Sequence, residues 1–217
     1  MWYYQTDVYK YLIYLRKYLL GDLSKFEELS VAAEKQELSE AKMANRGKRP
    51  SPQTTLNPAS FEFHFNKTII PRSTIPHSQS LFSTIDILGY FLRKEDDYTR
   101  TKKNFTAFFK KTWPLKPNEL EVLIFVYRHG ITHSYFPILN TGIAYHTANE
   151  GKSMFYKNER GDLVLNVKYL KNAVISGLEK IINDQTLYSD MQNQYLALVK
   201  DLEAKNRKRI TKLKSKL

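Results

Sequence analysis

The sequence contains no cysteine. This absence excludes disulfide bonds, zinc sites that depend on thiolates, and a cysteine nucleophile. The sequence also lacks the run of about 18 uncharged apolar residues that a membrane-spanning helix needs. Its stretch VLIFVY, at 122–127, is far too short. The first residues, MWYYQTDVYKYL, lack the charged and apolar segments of a signal peptide. We therefore expect a cytoplasmic protein without a membrane partner.

Acidic residues are few relative to basic ones, with 22 Asp and Glu against 34 Lys and Arg and a formal net charge of +12. A polyanion such as RNA is the partner that this balance favours, because each cation that neutralises a phosphate releases a counterion. Part of the excess lies close to the end of the chain, at Lys205, Arg207, Lys208, Arg209, Lys212, Lys214 and Lys216. A second interpretation therefore stays open, in which a solvated basic surface ends in a basic tail.

Helical periodicity dominates the first part of the sequence. Apolar residues at helical spacing predict a helix over 4–20, with Gly21 as its C-terminal cap. Asp22 can cap a second helix that runs through residue 44. The composition of 45–77 predicts a loop, and the alternating aromatic residues at 61–65 predict a short strand within it.

The remainder of the sequence predicts a mainly α fold, an antiparallel helical bundle with a small β hairpin or meander inserted near 142–167. We expect one helical domain over 1–186 and a basic C-terminal helix or tail over 187–217. The predicted helices begin near Ser80, near Asp96, near Asn118, after the cap Asn166, and at residue 187. Helical spacing predicts a core face for the helix from Asn118, at Leu120, Leu123, Ile124, Tyr127 and Ile131, and an apolar stripe for the helix after Asn166, at Leu170, Val174, Leu178 and Ile181.

The segment YRHGITHSYFP, at 127–137, combines Arg128 with two histidines at the end of an apolar helix. The guanidinium of Arg128 presents a fork of donors that matches phosphate oxygens, and a histidine such as His133 can move a proton near neutral pH. RNA cleavage by the neighbouring 2′-hydroxyl needs little more than these groups and no metal. Arg128 and His133 lie about 140° apart on an ideal helix, so they meet most readily in a cleft, such as one between two copies.

The segment RHGITH resembles the R-x4-6-H motif of the HEPN superfamily (higher eukaryotes and prokaryotes nucleotide-binding domain), and Ser80–Leu92 resembles an earlier core helix of its bundles. The resemblance implies an all-α bundle that often dimerises and, in many members, a metal-independent endoribonuclease of toxin–antitoxin or phage-defence systems. It implies that Arg128 and His133 are catalytic and that His129 supports them. The implied partners are RNA, a second copy of the chain, and an antitoxin or other defence-system protein. Other members have lost activity and serve as binding or scaffold domains.

Further RNA contacts are predicted from basic residues interleaved with phenylalanines, and from an aromatic side chain beyond the motif that can stack on a base. These candidates are Lys102, Lys103, Lys110, Lys111 and Tyr135. The alternative interpretation is a core helix with a charged outer face, and we favour it for the phenylalanines.

Two other interpretations of the motif remain. Arg128 can pair with Glu121 or Asp86 for stability alone, and His133 can be a helix-capping residue. His129 and His133 also match the spacing of two zinc ligands, with His146 as a third, but Gly130 occupies the position where a metalloprotease helix carries its glutamate. We expect no metal and no other cofactor.

Overall fold

The computed structural model of the chain describes residues 7–45, 74–93, 100–134, 141–145, 153–157 and 161–214. These residues form a mainly helical fold with a small three-stranded sheet. The α-helices are α1 (Val8–Asn45), α2 (Thr74–Arg93), α3 (Thr101–Lys111), α4 (Pro117–Val122), α5 (His129–Ser134), α6 (Val167–Asn183) and α7 (Gln185–Lys214). A π-helical turn, Leu123–Arg128, joins α4 to α5. The strands are β1 (Gly142–Ala144), β2 (Phe155–Lys157) and β3 (Leu163–Asn166).

Helix α2 lies at the centre of the fold and packs against α1, α3, α5, α6, α7 and β1. Most of its side chains are buried, which explains why its apolar residues surround the helix rather than form one stripe. It begins at Thr74, before the predicted start at Ser80, so residues 74–77 of the expected loop are helical. Pro76 is compatible with this earlier start, because an amide N–H in the first turn of a helix has no intrahelical partner.

The crossing of α2 and α3 depends on Gly89. A Cβ atom added at Gly89 would lie 1.9 Å from the backbone oxygen of Asn104, far inside van der Waals contact. The absence of a side chain therefore allows the backbone of α3 to approach α2 directly. This approach brings the first turn of α3 alongside Asp86, a residue of α2 that bears on the site described below.

The predicted break at Gly21 is wrong, because α1 is one helix from Val8 to Asn45. Leu19 and Leu23 are both buried, so an unbroken helix keeps its apolar stripe on the core. A glycine inside a helix costs about 1 kcal/mol relative to alanine, a penalty that the burial of these leucines can offset. Asp22 consequently lies inside the helix and caps nothing.

The sheet is a mixed one with the strand order β1-β3-β2. Strand β3 pairs in parallel with β1 and antiparallel with β2, and Val164 lies opposite both Gly142 and Tyr156. The predicted hairpin corresponds to β2 and β3, but the alternative of a meander is wrong. The most buried strand is β3, and it takes the central position where both of its edges are paired.

Two predictions for the C-terminal half are confirmed. Asn166 caps α6, because its side-chain oxygen accepts a hydrogen bond from the Tyr169 amide at 3.2 Å. The predicted apolar stripe of α6 is buried, at Leu170, Val174, Leu178 and Ile181. Helix α7 covers most of the predicted helix at 187–217, and its first half contributes Met191 and Tyr195 to the core. From Leu202 onward, every side chain that the structure describes is exposed.

Within the described ranges, no helix is both long and apolar enough to cross a membrane. The strand predicted at 61–65 lies outside the described residues.

Candidate functional site

The RHGITH segment belongs to one continuous helical run that comprises α4, the π turn and α5, here called the motif helix. The run starts at Pro117, and the Glu119 carboxylate accepts a hydrogen bond from the Lys116 amide at 3.0 Å. In the π turn the His129 amide donates to the carbonyl of Ile124, five residues earlier. Such turns accommodate an extra residue in a helix and occur frequently at functional sites. Arg128 is the last residue of this turn.

Tyr127 fixes the motif helix to the sheet. Its side chain is fully buried, its ring stacks on Phe155 at 5.6 Å between centroids, and its hydroxyl donates to the Leu163 carbonyl at 2.8 Å. Burial raises the pKa of the Tyr127 hydroxyl above its ordinary value, so the group stays protonated and keeps donating. The predicted core face of this helix is buried at Leu123, Ile124, Tyr127 and Ile131, whereas Leu120 is only partly buried.

Asp86 holds Arg128 from the neighbouring helix. A guanidinium nitrogen of Arg128 lies 3.6 Å from a carboxylate oxygen of Asp86, and the two side chains are 21% and 27% exposed. The same carboxylate accepts hydrogen bonds from Asn104 at 2.6 Å and from Thr101 at 3.3 Å. We call Arg128, Asp86, Thr101 and Asn104 the Arg128 corner.

The geometry of this pair leaves donor capacity on Arg128. Charge-assisted hydrogen bonds to a carboxylate measure about 2.7–2.9 Å, so a separation of 3.6 Å is an ion pair rather than a two-pronged clamp. Asp86 therefore orients the guanidinium without occupying its whole fork of donors. Of the two acidic partners considered from the sequence, Asp86 is the one that forms this pair, whereas Glu121 is exposed.

The structure describes the side chains of Arg128 and His129 but not that of His133. Arg128 is half-buried at the corner, and His129 follows it with an exposed side chain. His133 belongs to α5, but its side chain and all of Tyr135 lie outside the described residues. The predicted pairing of Arg128 with His133, and the stacking role of Tyr135, therefore stay predictions.

The four predicted RNA-binding lysines divide between the two ends of α3. Lys102 and Lys103 are exposed in its first turn, the turn that also contributes Thr101 and Asn104 to the Arg128 corner. Lys110 and Lys111 lie about 12 Å further along the helix axis. The interpretation of the phenylalanines as core residues is confirmed, because Phe105, Phe108 and Phe109 are buried.

A second charged cluster links α1, α6 and the residue after β1. The hydroxyl of Tyr145 donates to the Glu27 carboxylate, and the Lys171 ammonium donates to the same carboxylate at 2.7 Å and to the Tyr145 oxygen at 3.3 Å. His77 is fully buried, with its ring centroid 5.7 Å from that of Phe26 and 5.3 Å from that of Tyr145. We call Glu27, His77, Tyr145 and Lys171 the Glu27 cluster.

The electrostatics of the Glu27 cluster favour a structural role. The pKa of His77 is lowered to about 4, mainly by burial and also by the charge of Lys171, while the charge of Glu27 partly opposes both. Burial alone would raise the pKa of Glu27, but hydrogen bonds from Lys171 and Tyr145 and the charges of Lys171 and Lys168 outweigh it and lower that pKa. His77 is thus neutral near pH 7, and among the described residues neither of its ring nitrogens has a hydrogen-bond partner.

The sequence interpretation missed this cluster, because no motif connects its members. Tyr145 lies 118 residues from Glu27 and 26 from Lys171, so only the fold brings these side chains together. Asp86 was a candidate partner of Arg128, but its role as an acceptor for two further side chains was also not predicted.

The zinc interpretation stays untested, although no three potential ligands come together in the part of the chain that the structure describes. His146 and the side chain of His133 lie outside that part. Comparison with known proteins gives no match to any protein-family model, curated protein or solved structure. We therefore infer the function from the residues themselves.

Proposed function

We propose that this protein is a metal-independent endoribonuclease of the HEPN type that acts in the cytoplasm in a toxin–antitoxin or phage-defence system. The observation that carries the proposal is the setting of Arg128, which ends a π turn at the surface end of an apolar helix. Among the described residues, Asp86 holds it through a 3.6 Å ion pair that leaves guanidinium donors unused. An arginine oriented in this way can bind a phosphate without first losing a strong internal partner.

The proposed reaction divides the work between two side chains. His133 removes the proton of a 2′-hydroxyl, whose oxygen forms a bond to the adjacent phosphorus while the bond to the 5′-oxygen of the next nucleotide breaks. The departing 5′-oxygen takes up a proton, which leaves a 2′,3′-cyclic phosphate on one fragment and a 5′-hydroxyl on the other. Arg128 stabilises the charge that develops on the phosphoryl oxygens, and His129 orients or assists.

The five-residue step between Arg128 and His133 leads to the expected homodimer. On an α-helical turn the two side chains point about 140° apart, so a single helix presents them poorly to one phosphate. Two copies related by a two-fold axis can complete the site, because Arg128 of one copy then faces the cleft together with His133 of the other.

The test of the proposal is RNA cleavage in the presence of EDTA. We expect the purified wild type to cleave, with cyclic-phosphate ends on its products, and we expect Arg128→Ala and His133→Ala to cleave at least about 100-fold more slowly. Arg16→Ala is a matched control, because Arg16 also pairs with a carboxylate, Glu179, but on a different surface. Absence of cleavage by the wild type, or wild-type cleavage by both motif variants, would contradict the proposal.

The second candidate function is a non-catalytic helical module that binds RNA or a protein. The ion pair between Arg128 and Asp86 favours it, because the pair also serves the packing of α2 against the motif helix. This function predicts salt-sensitive RNA binding without cleavage, with Arg128→Ala costing only affinity. Expression without other components separates the two functions, since a toxin arrests growth of its host and the His133→Ala variant does not.

A further inference from the structure

Phe125 breaks the burial pattern of the motif helix. Its side chain is 51% exposed, whereas its neighbours Leu123, Ile124 and Tyr127 are buried. It lies within the π turn, three residues before Arg128. Exposing half of a phenylalanine ring leaves apolar surface in water, so this position stabilises the isolated chain less than a fully buried phenylalanine would.

A cation accompanies the ring. The ammonium of Lys102 lies 5.4 Å from the centroid of Phe125, within the range of a cation–π interaction. Lys103, also exposed, follows it in the first turn of α3. That same turn contributes Thr101 and Asn104 to the carboxylate that holds Arg128. The first turn of α3 therefore contacts the exposed ring through Lys102, and through Thr101 and Asn104 it contacts the carboxylate that pairs with the guanidinium.

We propose that Phe125 is a stacking platform for one base of single-stranded RNA, with Lys102 supplying positive charge to the strand beside it and Arg128 binding a phosphate further along. The inference rests on the proposed function for its substrate class. An aromatic ring next to a basic rim suits an unpaired strand, because every base has a flat face to stack and every nucleotide carries a phosphate. Because any base can stack on the ring, the platform determines the position of the strand on the protein and not the base sequence that is bound.

A second copy of the chain fits this surface less well. A two-fold contact centred on Phe125 itself would bring Lys102 and Lys103 close to the same residues of the other copy, and opposed like charges disfavour such a contact. The proposed dimer cleft differs from it, because that cleft places Arg128 beside His133 of the other copy. The centres of protein interfaces are, in addition, depleted in lysine. The charge around the ring thus favours a polyanion as its occupant.

The test measures binding without cleavage. A short single-stranded RNA containing 2-aminopurine is titrated with the full chain carrying His133→Ala, and both its anisotropy and the quenching of the fluorescent base are followed. In this background we expect Phe125→Ala and Phe125→Leu to bind the RNA about tenfold more weakly and to lose quenching. We expect Phe125→Trp to bind the RNA and quench the base as the His133→Ala parent does. Tyr18→Ala is the matched control, because Tyr18 is a 66% exposed aromatic residue on α1, a helix that contributes nothing to the Arg128 corner.

The outcomes separate this inference from the proposed function. If the RNA does not bind, or if Phe125→Ala or Phe125→Leu binds as tightly as the parent, the platform is wrong even where the wild type cleaves RNA. If Phe125→Ala instead changes the sedimentation of the protein with RNA affinity intact, the ring is a contact between copies. If affinity and quenching depend on the ring but the wild type cleaves nothing, the platform stands and the ribonuclease proposal fails.

Discussion

The Arg128 corner and the Glu27 cluster both place a carboxylate beside a cation, but they use their hydrogen bonds differently. In the Glu27 cluster the carboxylate receives direct hydrogen bonds from Lys171 and Tyr145. In the Arg128 corner the carboxylate is engaged by Asn104 and Thr101, while the guanidinium stands 3.6 Å away. A cation that is oriented by a carboxylate without a direct hydrogen bond to it keeps donors for an anion, whereas a cation hydrogen-bonded directly to its carboxylate mainly holds helices together.

The largest effect that we expect on stability comes from separating the two helices behind the Arg128 corner. Gly89→Ala places a methyl group against the backbone of Asn104, which cannot move without displacing α3. We expect a loss of about 3 kcal/mol or more in the free energy of unfolding, measured by urea denaturation. Gly21→Ala is the control, because nothing lies within 4 Å of its added Cβ and the change should stabilise α1 by up to about 1 kcal/mol. Equal stability of the two variants would contradict the packing described for α2 and α3.

The next effect is a pH dependence that belongs to the Glu27 cluster. The pKa of His77 is about 4 in the folded protein and about 6.5 in the unfolded chain, so between these values the unfolded chain binds more protons. The free energy of unfolding should therefore be highest above pH 6.5 and should fall by up to about 3 kcal/mol as the pH drops to 4.

The variant His77→Phe tests this dependence, because it keeps a ring between Phe26 and Tyr145 and removes the titrating group. Urea denaturation at several pH values between 7 and 4.5 should give a flatter profile for the variant than for the wild type. Glu27 contributes separately to the free energy of unfolding, and at lower pH. Because its pKa is lowered in the folded protein, it stabilises the fold above the ordinary titration range of a glutamate, and this stabilisation is lost as the pH falls through the folded pKa. Parallel profiles for the two proteins would show that His77 titrates normally.

A smaller effect is expected when the cation of the Glu27 cluster is removed. Lys171→Met should cost about 1–2 kcal/mol of unfolding free energy, because Glu27 and Tyr145 lose a charged donor at a partly buried position. Lys25→Met removes a comparable pair with Glu28, but that pair is largely exposed and should cost less than about 0.5 kcal/mol. If thermal denaturation ranks the two variants in the opposite order, the cluster does not fix α1 to α6 as described.

The smallest expected effect concerns RNA affinity and distinguishes the two ends of α3. Lys102→Ala should lower the slope of log affinity against log salt concentration by about 0.7, which corresponds to one phosphate contact on a single strand. Lys110→Ala, at the far end of the helix, should leave the slope unchanged. Fluorescence anisotropy titrations at several salt concentrations measure both slopes. An equal decrease for the two variants would mean that the strand follows the whole of α3 rather than the Arg128 corner.

The helices could be predicted where their buried apolar residues recur at regular helical spacing. The apolar stripe of α6 and its cap Asn166 could be identified directly from the sequence, as could the buried phenylalanines of α3. The continuity of α1 could not, because a glycine inside a helix and a glycine at its end look alike until the leucines on both sides of Gly21 are known to share one core.

The features missed in the sequence all depend on contacts between distant segments. A parallel pairing of β1 with β3 carries no local turn signal, so a hairpin or meander was the simpler expectation. The π turn differs from an α turn by one residue and leaves no pattern in its apolar residues. For the candidate site, the sequence identified Arg128 and proposed Asp86 as one possible partner, but the exposure of Phe125 and its proximity to Lys102 required the fold.

We propose that the Arg128 corner serves RNA chemistry while the Glu27 cluster serves stability. The most direct test measures RNA cleavage in EDTA and thermal unfolding for Arg128→Gln and Lys171→Met side by side. We expect Arg128→Gln to cleave at least about 100-fold more slowly but to melt within about 3 °C of the wild type, because an isolated, partly exposed ion pair adds little stability. We expect Lys171→Met, at a temperature where it is folded, to cleave at the wild-type rate but to melt earlier. Wild-type cleavage by Arg128→Gln, or an equal loss of cleavage in both variants, would contradict this division of roles.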